Sequence, residues 1–316
     1  MKRVYCMTFT FRAYTIFRAV LFAGLLLSSA CVQAETRIGV LFPEASPALQ
    51  KLYQTIISGM ALAPDVRLAS RAVGERETPA EIKSWLGSNQ SQVVVVMGNL
   101  PGGLEAALSP DFPLVHGAGA LNDNQLSGVS LSASPARLFS RLKQLKPDIE
   151  RVYVIYKPQS TGWLVERGKS AARDAGVELV ALPSEDIQQS AALVQRIAQQ
   201  ARLGKDGVWL TLDPVVPVNQ LLPVLLREAW DKNLALFSNN PLDVGKGALF
   251  ALYPDYQEMG RQLADRARRQ LAKPGLTGPE PSEHLLGALN TRTASHLGIQ
   301  PGVAVLQTFN QHYPER

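Results

Sequence analysis

The stretch from Val152 to Thr211 limits most sharply what this chain can fold into. Three short runs of apolar, β-branched and aromatic residues, at 152–156, 177–182 and 207–212, alternate with two longer runs that end at Ala175 and Ala201. In the longer runs the apolar residues fall three and four apart, the spacing of an amphipathic helix. Strand, helix, strand, helix, strand implies parallel strands joined by right-handed crossovers, with both sheet faces covered. Such sheets bind small molecules at the carboxyl ends of their strands. Here those ends lead into the loops 157–162 and 213–217. The rest of the chain is expected to supply a second sheet of the same kind that closes over these loops.

The first 34 residues stand apart. Lys2, Arg3, Arg12 and Arg18 form a basic opening, 19–27 is a nine-residue apolar core, and Val32-Gln33-Ala34 is a small-x-small cleavage site. The core is too short for a membrane-spanning helix. The segment is therefore expected to be a secretory signal peptide cut after Ala34. Ser28-Ser29-Ala30-Cys31 loosely resembles a lipobox, and its use would leave a lipid-anchored Cys31. The leader holds four of the 32 Lys and Arg and none of the 27 Asp and Glu. The net charge of +5 thus falls to near neutrality after cleavage, which removes any electrostatic reason to expect nucleic-acid binding. Both cysteines, Cys6 and Cys31, lie in the leader. Cleavage after Ala34 leaves no thiol for catalysis or metal binding, as suits an oxidising compartment.

After the leader, strands are expected at 36–42, 66–72, 93–97 and 113–116. Helices are expected at 48–62, from the capping box Thr78-Pro79-Ala80-Glu81 to about 86, and after the glycine-rich turn 98–103. Residues 93–97 are continuously apolar, as in a strand buried on both faces. The chain then crosses to a second lobe at 128–132 and opens a helix at Ser134-Pro135. Beyond the βαβαβ unit come a helix at 221–230 and a strand at 234–237, whose loop Ser238-Asn239-Asn240-Pro241 is expected to return to the first lobe. A second capping box, Asp255-Tyr256-Gln257-Glu258, opens a helix to Leu271; 273–281 reads as a Pro- and Gly-rich loop, and 285–290 as a strand and third crossing. The expected lobes are 35–128 with 240–284, and 129–239 with 285–316. The fold class is α/β, two doubly wound parallel-sheet lobes joined by three crossing segments.

Particular residues carry a family resemblance. They are Val152-Tyr-Val-Ile-Tyr-Lys-Pro158, Ala171-Ala-Arg-Asp-Ala-Gly-Val-Glu-Leu179, Gly207-Val-Trp-Leu-Thr-Leu-Asp213, the run from Gly247 to Tyr256 into Met259-Gly260, and Leu289-Asn290 through Ile299. The chain resembles bacterial ABC-transporter substrate-binding proteins of the type I periplasmic-binding fold, and is similar to the group that includes tryptophan- and tyrosine-binding members. The resemblance covers the C-terminal half well and the N-terminal half only in the order of elements. It implies that the loops after Tyr156 and at Asp213 face a ligand cleft, and that the solute is amino-acid-like. The chain departs from the family at those loops: Thr161-Gly162 stands where Asn-Ser is common, and Asp213-Pro214 where Asp-Asn is common. Gly98-Asn99 replaces a threonine-rich turn, and 303–316 lacks the usual Ala-Asp ending.

Candidate ligand residues sit at strand ends. Gln159, Ser160 and Thr161 precede a helix and can donate to a ligand carboxylate, or Ser160 or Thr161 is an N-cap. Asp213 either pairs with a ligand ammonium or makes an Asx-turn. Trp163 and Tyr256 either stack on an apolar solute or simply pack. Asn99, Asn122 and Asn239 each follow a strand and would point at one cleft. Of the four histidines, His116 ends an apolar strand near that cleft, while none stands in an HExxH arrangement or at metal-ligand spacing.

These observations give an expectation of a non-catalytic, periplasmic solute-binding protein. It would be monomeric, without metal or cofactor, closing on a small molecule and presenting it to an inner-membrane ABC permease. A ligand-sensing accessory to a membrane receptor or outer-membrane uptake system is an alternative, and an exported enzyme acting through His116 another.

Overall fold

The computed structural model describes residues 35–121 and 126–314. The expected leader, its cleavage point and Cys31 lie outside the described residues. The first half runs β1 (Thr36–Pro43), α1 (Pro47–Ala61), β2 (Val66–Val73), α2 (Pro79–Ser88), β3 (Val93–Met97), α3 (Leu104–Leu108), β4 (Leu114–Gly117) and β5 (Gly128–Ala133). There follow α4 (Pro135–Leu145), β6 (Arg151–Tyr156), α5 (Pro158–Asp174), β7 (Glu178–Pro183), α6 (Ile187–Gln200), β8 (Asp206–Leu210), α7 (Val218–Asp231), β9 (Ala235–Ser238), α8 (Pro241–Lys246) and β10 (Phe250–Pro254). The chain ends with α9 (Tyr256–Ala272), β11 (Pro279–Ser282), β12 (Leu285–Asn290), α10 (Thr291–His296), α11 (Val303–Leu306) and β13 (Gln311–Tyr313).

Two separate sheets form, in the orders β11-β5-β4-β3-β1-β2 and β13-β12-β10-β9-β8-β6-β7. Pairing is parallel throughout except between β10 and β12. Each sheet is covered on both faces, as continuous apolar strands require. In the first, one face packs under α1 and α9 around Ile56, Met60, Met259 and Leu263, and the other under α2 and α3 around Ile82, Leu86, Leu104 and Leu108. In the second, α4 and α5 cover one face through Phe139, Leu142, Leu164 and Val165, and α6 and α7 the other through Val194, Ile197, Leu222 and Leu225.

The helix starts follow the local chemistry. The Thr78 box is complete: the hydroxyl accepts from the Glu81 amide while the Glu81 carboxylate accepts from Thr78. The Asp255 carboxylate accepts from the Gln257 and Glu258 amides and starts α9. Although α9 follows a strand of the second sheet, it packs back on α1 of the first. Gly59 and Gly260 permit this: a Cβ on Gly59 would stand 1.9 Å from the Gln257 carbonyl oxygen, and one on Gly260 2.1 Å from that of Ile56.

Two segments depart from expectation, and a third carried none. Residues 240–254, expected in the first lobe, belong to the second sheet, where β10 pairs with β9 and β12. Asn240 caps α8 by accepting from the Leu242 amide, which turns the chain back before it can cross. The return to the first sheet comes at Asp255 instead. Residues 279–281, the end of the stretch read as loop, fall in β11; it is an edge strand, the position where Pro279 and Pro281 need not donate. The closing residues add α11 and the short edge strand β13.

Candidate functional site

All three crossings leave carboxyl edges: β5 enters α4, β10 enters α9 and β11 enters β12. The crossing segments are bonded to one another. Ser134 N–H donates to the Ser282 carbonyl at 2.9 Å, and Asp255 N–H to that of His284 at 3.0 Å. The carboxyl edges of both sheets therefore adjoin the bonded crossing segments.

On the second sheet, Asp213 is an internal strut. One carboxylate oxygen accepts from the Lys157 amide at 2.9 Å and from the Thr161 hydroxyl; the other accepts from the Val215 amide at 2.9 Å. The bond to Val215 is the Asx-turn of the sequence reading, and the side chain is buried. The three donors fix the orientation of the Asp213 carboxylate. Thr161 and Ser160 are buried inside the first turn of α5, whose N-cap is Lys157, so neither serves as the cap. Gln159 is exposed.

Asn239 follows β9 and is buried; its Oδ1 accepts from the Trp209 indole at 3.1 Å. Its Nδ2 has no partner among the described residues, and neither has the hydroxyl of Thr211, just beyond β8. Thr211 was not among the sequence candidates. The signal for it was a polar β-branched residue prolonging the run Gly207-Val-Trp-Leu, in step with Trp209 and Asp213.

On the first sheet, Asn99 is exposed and lines a recess of about 630 Å³ with Pro43, Glu44, Glu75, Arg76 and Glu77. Glu77 is tied to Arg71 and to the Gly74 amide. Tyr256 is half-buried against the core between α1 and α9, and burial raises its hydroxyl pKa. Asn122 lies outside the described residues. Trp163 is occupied elsewhere: its indole donates to the Leu121 carbonyl at 3.1 Å, and the Arg167 guanidinium sits 5.7 Å from its ring centre. Arg167 also donates to the Pro279 carbonyl at 3.3 Å.

His116 is a hydrogen-bonded core residue. Its Nε2 lies 3.0 Å from the Glu105 carboxylate and its Nδ1 3.2 Å from the Ser127 carbonyl. The hydrogen bond to His116 is the main cause holding the Glu105 carboxyl below the usual range. Both ring nitrogens are thus engaged by groups of the first sheet's own lobe. Among the described residues no group of three His, Cys, Asp or Glu could hold a metal ion, and no helix is long and apolar enough to cross a membrane.

Known proteins agree with this architecture. A family model described as ABC transporter substrate binding protein matches residues 114–312. No curated protein matches the chain. Among solved structures, a conserved domain protein from Vibrio cholerae is 20% identical with a TM-score of 0.52, covering 88% of this chain and 99% of its own. An ABC domain in complex with L-Trp from Streptococcus pneumonia is 19% identical with a TM-score of 0.52, covering 88% and 100%. A ligand-free, open substrate binding protein with adhesive properties from Clostridium difficile is 15% identical with a TM-score of 0.55, covering 87% and 98%. The shared feature is the fold, two mostly parallel sheets in the type I periplasmic-binding arrangement.

Proposed function

Because this chain belongs to the ABC transporter substrate binding protein family, we propose that it is an exported, non-catalytic receptor for a small solute. Two lobes rotate about the three crossing segments, bury the solute between their strand ends, and present the closed form to an inner-membrane ABC permease. The protein works in the periplasm after removal of its leader. The observation that carries this reading is the hinge: the crossing segments leave carboxyl edges and are hydrogen-bonded to one another at Ser134–Ser282 and Asp255–His284. Occupied ring nitrogens at His116 further support binding without turnover.

Within the cleft, Asn239, Gln159 and Ser160 contact the solute from the second lobe, and Asn99 and Tyr256 from the first. Asp213 and Thr161 position the loops. A solute of amino-acid size is in keeping with the L-Trp held by one structural neighbour. Ligand binding must favour the closed state for closure to follow. Native mass spectrometry of the mature protein should find a solute at one per chain, and its removal should enlarge the radius of gyration measured by X-ray scattering. Stoichiometric binding with an unchanged radius would remove the closure step.

A further inference from the structure

Thr211 and Asn239 prolong neighbouring strands by one residue each. Trp209 stands opposite Phe237 and Leu210 opposite Ser238, so the next pair in register is Thr211 with Asn239, about 4.8 Å apart. Side chains alternate along a strand, which returns both residues to the face of Trp209 and Phe237, beneath α4 and α5. The orientation of the Asn239 amide is set by the Trp209 indole, a donor that only the amide oxygen can accept. The NH2 end is therefore a buried donor without a partner among the described residues, beside a buried hydroxyl in the same position. Buried polar groups are nearly always bonded, so two neighbouring buried donors without a partner among the described residues call for an acceptor.

The charges around the pair select the ligand. The nearest ionised group in sequence is Asp213, two residues beyond Thr211 and roughly 7 Å away along an extended chain. Its carboxylate is held in place by three protein donors. Lys157, the basic residue at the start of α5, turns its ammonium to the Glu185 carbonyl at 3.3 Å. A ligand carboxylate on the pair would lie near the Asp213 carboxylate while the Lys157 ammonium is turned to Glu185, a repulsion worth on the order of tenfold in affinity. We infer that Thr211 and Asn239 form a subsite for an uncharged oxygen acceptor, the carbonyl oxygen of an amide or similar group on the solute. Asn239 donates through Nδ2 and Thr211 through its hydroxyl. This inference rests on the solute-binding reading and names the chemical class that the second lobe recognises.

Acetamide and acetate are the probes. Mature protein carrying 15N would be titrated with each to about 100 mM after gentle denaturation and refolding to remove any solute. The Asn239 side-chain signal would be assigned with Asn239→Asp, and folding of that variant and of Thr211→Val checked by thermal melts. Acetamide should shift the Asn239 signal saturably, at least tenfold tighter than acetate, and Thr211→Val should weaken it severalfold. Acetate binding as well as acetamide, or neither shifting the signal, overturns the subsite. The broader reading fails separately, if native mass spectrometry of unstripped protein finds no solute.

Discussion

The indole of Trp163 on α5 donates to the carbonyl of Leu121, which follows β4 on the other sheet, at 3.1 Å. Leu121 holds a backbone φ of 49°, a left-handed conformation that costs a non-glycine residue energy. Its neighbours are tied down from their own lobe, Gly119 by the Leu131 amide and Ala120 by the Ser130 hydroxyl. The third carbonyl of this loop is thus held from the opposite lobe. Trp163→Phe keeps the ring but loses the bond, which is worth about 1 kcal/mol. The solute-free variant should be more open than the parent, seen as a larger radius of gyration. An unchanged radius would mean that the bond does not restrain the lobes.

Asp213 joins two loops through three donors, the Lys157 and Val215 amides and the Thr161 hydroxyl. Asp213→Ala strands all three, two of them buried and the Lys157 amide part-buried, and each unmet buried donor costs about 1–3 kcal/mol. The expected result is a loss of several kcal/mol in urea unfolding, with Asp213→Asn intermediate because one oxygen remains. Were Asp213 instead a ligand contact alone, the stripped protein would unfold at the parent's midpoint.

Gly260 lies where α9 crosses α1, and an added Cβ would stand 2.1 Å from the Ile56 carbonyl oxygen. Gly260→Ala must push the helices apart and should destabilise by about 1–3 kcal/mol, the usual cost of overpacking. Gly87, inside α2, has nothing within 4 Å of the same atom. Gly87→Ala should therefore stabilise slightly, by about 0.5–1 kcal/mol. Opposite signs in paired thermal melts would verify that the contact, not glycine itself, sets the cost.

Much of the fold was legible because it rests on periodicity. The βαβαβ unit and the buried run Val93–Met97 needed only apolar spacing. The path at 238–254 was not, because a strand end looks the same whether the next element crosses or turns back; the Asn240 cap on α8 decided it. β11 was hidden by its prolines, which an edge position excuses. The strand-end candidates were found by position, but their roles depended on partners distant in sequence. Asp213 is claimed by Thr161, 52 residues away, and Trp163 by Leu121, 42 away. No local pattern encodes such pairings, so the bonds that hold these side chains could not be read from the sequence. Thr211 passed as one more strand residue, and only its lack of a partner among the described residues sets it apart.

Asp243, in the first turn of α8, gives a prediction with a definite sign in pH. Its side chain is buried and accepts from the Ser238 hydroxyl, while Oδ1 has no partner among the described residues. Burial pushes its carboxyl pKa up, against the smaller opposing effects of Ser238 and Lys246. The folded protein therefore holds this proton more tightly than the unfolded chain, whose Asp value is about 3.9. As pH rises above that value the unfolded chain ionises first, and stability falls until the folded pKa is passed, with a limiting slope of about 1.4 kcal/mol per pH unit. Asp243→Asn keeps an oxygen for Ser238 and has no charge to bury. Its stability relative to the parent should be lowest near pH 4 and rise toward pH 7.5, read as the difference in urea midpoints. A difference that stays constant with pH would show that Asp243 is ionised in the fold and that burial does not govern it.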